Sequence, residues 1–212
     1  IGGNIMAYLI SEEAQDLLKD VKKFCDNEVR EQCKEYDKSG EWPKEIYDKA
    51  IEQGYQALEV PEKYGGPGLK RVDIAALIEE MAIADAGFAT ISASGLAMKP
   101  VFISGTEEQK QRMCDLVLEG GFGAFCLTEP GAGSDASAGR TTAVKDGNEY
   151  VLNGRKCFIT NGEMASFYCI TAITDKEKGL KGISMFFVEK GTKGLSTGNH
   201  EDKMGIRTSN TC

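Results

Sequence analysis

Residues 127 to 135 read LTEPGAGSD and begin on the last residue of an apolar run, residues 122 to 127. Pro130 and Gly131 suit the centre of a type II turn, because proline pre-sets the first dihedral pair and glycine accepts the positive φ of the second. Gly131, Gly133 and Ala136 also match G-x-G-x-x-A, a relaxed dinucleotide fingerprint. A Rossmann unit would need a helix and then a parallel strand after this loop. The loop leads instead into TTAVKDGNEYVLNGRKCFITNG, residues 141 to 162, with β-branched and aromatic residues around the turn dipeptides Asp146-Gly147 and Asn153-Gly154. The dinucleotide reading therefore lacks its context. A P-loop fails as well, since no Gly-Lys-Ser or Gly-Lys-Thr closes the stretch.

The same stretch marks a change of period. Upstream the pattern is helical. After Ser11, a good N-cap, Ala14, Leu17, Leu18, Val21, Phe24 and Cys25 recur at helical spacing until a polar end and Gly40. Pro43 opens a second helix carrying Ile46, Tyr47, Ala50 and Ile51, which Gly54 stops. A third spans about 72 to 84 and breaks at Gly87. Residues 88 to 104, small and apolar with few charges, read as a buried helical segment. Thr106 and Gln109 form a capping box for a last helix ending at Gly120 and Gly121. Downstream, SFYCITAIT (166 to 174) and GISMFFVEKG (182 to 191) are further strand candidates. DKMGIRTSNTC (202 to 212) reads as the start of another. The expected fold class is α+β, with an all-α N-terminal domain over 1–121 and a small, mostly antiparallel β-barrel or sandwich over 122–212. The last stretch has no closing turn or cap, so a truncated domain is expected. Residues 1 to 5, ahead of Met6, read as a short expression scar.

Bulk properties narrow the function. With 41% apolar residues in 212 the chain can bury a core. Its 33 acids against 25 bases give a net charge of -8, which disfavours nucleic acid as a partner. No apolar run approaches the roughly 20 residues that cross a bilayer, so membrane insertion is not expected. The seven scattered cysteines never form C-x-x-C, which argues against zinc or a disulfide framework and for reduced thiols.

Few residues invite chemistry. His200 is the single histidine and lies in a polar segment, so a hydrolytic triad is not supported. Cys126 and Cys157 read as packing residues. Glu129 and Asp135 sit six apart on a glycine loop and read as turn or cap residues rather than an acid and base pair. Thr128 and Thr160 are more informative. Each ends an apolar strand, in FCLT and CFIT, and Phe158 adds a flat ring beside Thr160. Hydroxyls at two strand ends with an aromatic plane suit a planar heteroaromatic ligand, against the plainer alternative of ordinary strand ends on a core.

FCLTEPGAGSD, YVLNGRKCFITNG and EDKMGIRTSN, in this order, resemble the middle domain of the acyl-CoA dehydrogenases, and VPEKYGGPGL resembles a loop of their N-terminal helical domain. The resemblance implies an FAD enzyme that removes two hydrogens from Cα and Cβ of an acyl-CoA, giving the trans-2-enoyl-CoA, and passes electrons to an electron-transfer flavoprotein. It implies Phe125, Cys126, Leu127, Thr128, Gly133, Ser134, Phe158, Ile159 and Thr160 as cofactor-binding residues, with Leu127 and Thr128 at the pyrimidine edge, Thr160 near N5 and Ser134 also on the substrate's pantetheine arm. Many relatives carry Tyr where Phe125 stands and Trp where Phe158 stands, so two polar handles are missing here. The family's third domain, with its usual catalytic glutamate, has no counterpart in these residues, and no catalytic residue is assigned. A homotetramer in the bacterial cytoplasm or mitochondrial matrix is implied for the full-length protein. Residues 88 to 98 correspond to a segment that helps set acyl length, and with Phe88, Ile91, Leu96 and Met98 able to fill it, a short or medium chain is expected. Two rivals share the fold: a flavin acyl-CoA oxidase, and a non-catalytic acyl-CoA-binding or assembly module.

Overall fold

The computed structural model describes residues 10 to 212, so the scar expected at residues 1 to 5 lies outside the described residues. Six α-helices come first: α1 Glu12–Phe24, α2 Gln32–Ser39, α3 Lys44–Glu52, α4 Arg71–Ala84, α5 Ser94–Ser104 and α6 Glu107–Leu118. Local chemistry sets their ends. The Ser11 hydroxyl accepts from Ala14 N at 3.2 Å, and the Thr106 and Gln109 side chains make the reciprocal box at the start of α6. Gly40 and Gly54 leave α2 and α3 at φ of 78°, a conformation that costs glycine little. Between α1 and α2 the chain makes a π-helical turn, Cys25–Val29. The segment expected to be one buried helix is a 3-10 stretch, Phe88–Ala93, that runs into α5.

Five strands follow: β1 Phe122–Cys126, β2 Thr142–Asp146, β3 Glu149–Asn153, β4 Ala165–Ile173 and β5 Ile183–Glu189. The β2–β3 hairpin turns at Gly147, with φ of 58°, as the Asp-Gly dipeptide predicts. The expected antiparallel barrel is corrected. β4 runs parallel to β1, meets β2 in parallel at Ile173 and pairs antiparallel with β5, so the sheet is mixed and does not close. Since β5 fills one edge of β4, β1 and β2 share the other. Residues 202 to 212 form no strand; Thr211 makes an isolated bridge to Thr160.

One core cluster fills the helical half, around Tyr47, Leu77, Met81, Phe88 and Ile91. A second lies between helices and sheet, where Ala97, Met98 and Val101 of α5 and Met113, Cys114 and Val117 of α6 pack on Phe167 and Cys169 of β4. Phe88, Ile91 and Met98 are thus spent on the core, and only Leu96 of the four residues weighed for acyl length is largely exposed. β1 lies close under α5: Gly123 N donates to the Ser94 hydroxyl at 2.9 Å. A Cβ at Gly123 would run into the Phe167 ring and Ala97. Gly123→Ala is therefore expected to destabilise the protein by about 1–3 kcal/mol through overpacking, read as a lower denaturant midpoint with unchanged slope.

Candidate functional site

β1 delivers the stretch 127 to 135 to one end of the sheet. Glu129 and Ala132 exchange backbone hydrogen bonds of 3.1 and 3.0 Å around Pro130 and Gly131. The turn closes as expected, but Gly131 is not among the glycines at positive φ, so it is not type II. Beyond it the chain makes a short 3-10 turn, Ala136–Ala138, where the Asp135 carboxylate accepts from Ser137 N at 3.1 Å. Asp135 is a cap, and no helix of a dinucleotide fold follows.

Glu129 has a larger part. It is buried, with 8% of its surface exposed, and its carboxylate accepts from Arg140 N at 2.6 Å and Thr141 N at 3.1 Å. Lys156 donates to it at 2.7 Å, to the Leu127 carbonyl at 3.1 Å and to the Thr171 hydroxyl at 2.9 Å. Both side chains are nearly closed off, with 11% and 7% of their surfaces exposed. Burial pushes the Glu129 carboxyl up, and the Lys156 ammonium with the Thr141 and Arg140 donors outweighs this, holding it down at about 2. Glu129 is therefore an ion, unsuited to proton transfer near neutrality.

The second stretch is held from two sides. Cys157 N donates to Thr128 O at 3.0 Å, which ties the end of β1 to the loop after β3. The strand expected in CFIT is corrected: residues 154 to 160 lie in that loop, and Thr160 makes an isolated bridge to Thr211. Ile159 and Cys212 exchange bonds of 2.7 and 3.1 Å, and Asn161 N donates to Asn210 O at 2.8 Å. Between these anchors Phe158 sits at φ 58° with 64% of its surface exposed. Left-handed backbone is costly for an aromatic residue, and it persists only where the surroundings impose it. The result is a ring presented to the outside on a fixed backbone. Thr128, Thr160 and Leu127 are half-buried beside it, and Gly133 and Ser134 are exposed on the loop beyond the turn. Phe125 packs partly on the cluster beneath α5 and α6. Cys126 and Ile159 point into a third small cluster with Ala124, Ala165 and Tyr168, so they have backbone rather than side chain to offer a ligand. Burial pushes the Cys126 thiol up to about 12, consistent with packing. His200 contacts Glu163 and Asn210 rather than a serine. No cluster of three or more metal-ligating side chains occurs among the described residues.

Sequence reasoning missed Lys156 altogether. Its one signal is a lysine placed between a turn and the apolar CFI run, where a solvated side chain has little room. It also missed the pairing of residues 159 to 161 with 210 to 212, which no local pattern announces.

Two family models match the chain: the acyl-CoA dehydrogenase N-terminal domain over residues 11–121 and the acyl-CoA dehydrogenase middle domain over residues 124–212. The chain is 43% identical to a short-chain specific acyl-CoA dehydrogenase of Megasphaera elsdenii, over 97% of its own length and 56% of that protein. It is 40% identical to an acryloyl-CoA reductase (NADH) of Anaerotignum propionicum, over 97% of its length and 53% of that protein. Among solved structures, butyryl-CoA dehydrogenase from Megasphaera elsdenii matches with a TM-score of 0.89 at 42% identity, over 95% of this chain and 55% of that one. The chain thus spans about half the length of the curated relatives it matches.

The buried pair gives the site a pH signature. A carboxyl depressed on folding contributes stability above its ordinary value of 4.5 and loses it as pH falls toward about 2. Denaturant melts of the unsubstituted protein are expected to lose roughly 2–4 kcal/mol more than those of Glu129→Gln between about pH 5 and pH 2. Parallel pH profiles would contradict the assignment.

Proposed function

The chain belongs to the acyl-CoA dehydrogenase family, and from that premise we propose that its protein is an FAD-dependent enzyme acting on a short- or medium-chain acyl-CoA, with residues 1–121 and 122–212 as its first two domains. The proposed reaction is α,β-dehydrogenation to the trans-2-enoyl-CoA, with electrons leaving to an electron-transfer flavoprotein. The observation that carries this reading is Phe158, exposed at positive φ between two hydrogen-bonded anchors, on a loop that Cys157 N ties to Thr128 O at the end of β1 and that also carries Thr160. A ring, two hydroxyls and nearby backbone amides form a donor set that fits a planar cofactor with a polar edge.

When bound, FAD supplies the acceptor for the two electrons. The chain's own residues bind and orient. Leu127 and Thr128 meet the polar edge of the ring with backbone and hydroxyl donors, where donors stabilise charge that develops on reduction. Thr160 supplies a hydroxyl on the neighbouring loop, and Phe158 covers the site against water. Phe125, Cys126 and Ile159 brace these stretches from the core, while Gly133 lets the backbone come close and Ser134 meets both cofactor and pantetheine. No acid of this chain is assigned as the base that takes the α proton. Phe88, Ile91 and Met98 are occupied in the core and do not bear on acyl length, so similarity to a short-chain specific dehydrogenase is what favours the short end of the range. The proposed assembly is a homotetramer, and the proposed compartment is the bacterial cytoplasm or mitochondrial matrix. No helix among the described residues is long and apolar enough to cross a membrane.

Similarity to an acryloyl-CoA reductase favours a second reading, reduction of an enoyl-CoA with NADH. The test is anaerobic titration of the FAD-loaded, native-length protein with butyryl-CoA and octanoyl-CoA. Bleaching of the flavin band, stronger with butyryl-CoA, is expected. No bleaching with either ester would sink the dehydrogenase reading and leave a non-catalytic binding module. Rapid peroxide formation under air would point to an oxidase, and NADH-driven consumption of acryloyl-CoA to the reductase.

A further inference from the structure

The Glu129–Lys156 pair sits behind the proposed flavin edge, and its connections exceed what closing a turn requires. An ammonium has three donors, and those of Lys156 are all used: on the Leu127 carbonyl, the Glu129 carboxylate and the Thr171 hydroxyl. Thr171 in turn donates to Cys126 O at 3.3 Å, so the cation reaches two successive carbonyls at the end of β1. The Leu127 carbonyl and the Thr128 N–H belong to one planar trans peptide and point in opposite directions. Gripping the carbonyl from within therefore aims the N–H away from Lys156, on the side opposite the buried pair. A cation on the carbonyl also polarises the amide and makes the N–H a stronger donor. The following peptide is fixed as well, because Thr128 O holds Cys157 N at 3.0 Å. Both peptides flanking Thr128 are thus immobilised, one of them by a charge.

We propose that Lys156 is a positioning residue for the polar edge of the flavin, orienting and polarising the Leu127–Thr128 peptide, with Glu129 as the counter-charge that sets how much positive field reaches the ring. The proposal rests on the reading that flavin binds at this site. A buried ion pair is a poor device for stability alone, since its desolvation offsets most of the mutual attraction. What the pair adds over a neutral contact is a field of fixed sign beside a group whose charge changes on reduction.

The two partners act on that field in opposite senses, which separates positioning from mere support. In the native-length, FAD-loaded protein at about pH 7, Glu129→Gln leaves the cation less compensated and is expected to raise the flavin midpoint potential. Lys156→Met is expected to lower it and to weaken FAD binding about tenfold, the scale of one orienting hydrogen bond. If Lys156→Met fails to fold, Glu129→Gln decides alone: a raised potential supports the proposal and an unchanged or lowered one overturns it. Shifts of the same sign in both variants, or none while melting temperature falls, would reduce the pair to a structural clamp. If the unsubstituted protein takes up no FAD, the functional reading fails and the proposal falls with it. Altered potentials without the opposed signs overturn the proposal alone.

Discussion

A buried carboxylate and a buried ammonium organise one end of the sheet in this protein. Glu129 and Lys156 lie 27 residues apart in sequence and 2.7 Å apart in space. Between them they hold the end of β1, the amides of Arg140 and Thr141 ahead of β2, the loop after β3 and the middle of β4. Remove the pair and four segments lose their common anchor. Each would still be a loop or strand end, but only the backbone bond from Cys157 N to Thr128 O would then hold the 129–132 turn against the loop that presents Phe158. Removing one partner leaves an uncompensated buried charge, which is costly, typically about 3–5 kcal/mol, whereas the intact pair is worth far less against an apolar replacement. The interaction therefore specifies an arrangement more than it stabilises a fold.

That arrangement depends in turn on how helices and sheet meet. Gly123 lets β1 approach α5, and the Ser94 hydroxyl fixes the height of the contact. The parallel pairing of β1 with β4 then brings Cys126 alongside Ile170, next to Thr171. On the other side, residues 207 to 212 bind both halves of the molecule. Arg207 N donates to the Asp37 carboxylate at 2.8 Å and Thr208 contacts Asp85, both in the helical half, while Cys212 and Asn210 pair with Ile159 and Asn161. The exposed ring of Phe158 is thus braced from the sheet, through Thr128, and from a segment seated on the helices.

Much of this was legible in the sequence where the determinant is local. Ser11, Thr106 with Gln109, Gly40 and Gly54 mark helix ends by their own chemistry, and the Asp146-Gly147 hairpin follows from two residues. The change from helical to alternating period located the five strands that form, while CFIT and residues 202 to 212, which the same pattern predicts as strands, form none. Topology was not legible, because a parallel pairing of β1 with β4 joins segments some forty residues apart and leaves no local trace. That is why an antiparallel barrel was expected and an open mixed sheet is found. Asn153-Gly154 shows the same limit, for Gly154 serves a close approach to Thr141 rather than a hairpin turn. At the site, FCLT marks the end of β1 at Thr128, but CFIT forms a loop rather than the strand its pattern predicts, tied to Thr128 through Cys157 N. Glu129 was assigned to a turn, and it does bond to backbone amides, but those amides lie 11 and 12 residues ahead and its partner 27 ahead. Long-range electrostatics of this kind has no period to detect.

The claim that a buried pair joins the end of β1 to the loop after β3 is most directly tested by the coupling energy between its members. A double-mutant cycle with Glu129→Gln, Lys156→Met and both together, followed by equilibrium denaturation at about pH 7, isolates that term. A coupling of about 2 kcal/mol or more is predicted, with the double variant more stable than Lys156→Met alone because no charge is then buried without its partner. A coupling below about 0.5 kcal/mol, the value of a solvated surface pair, would contradict it.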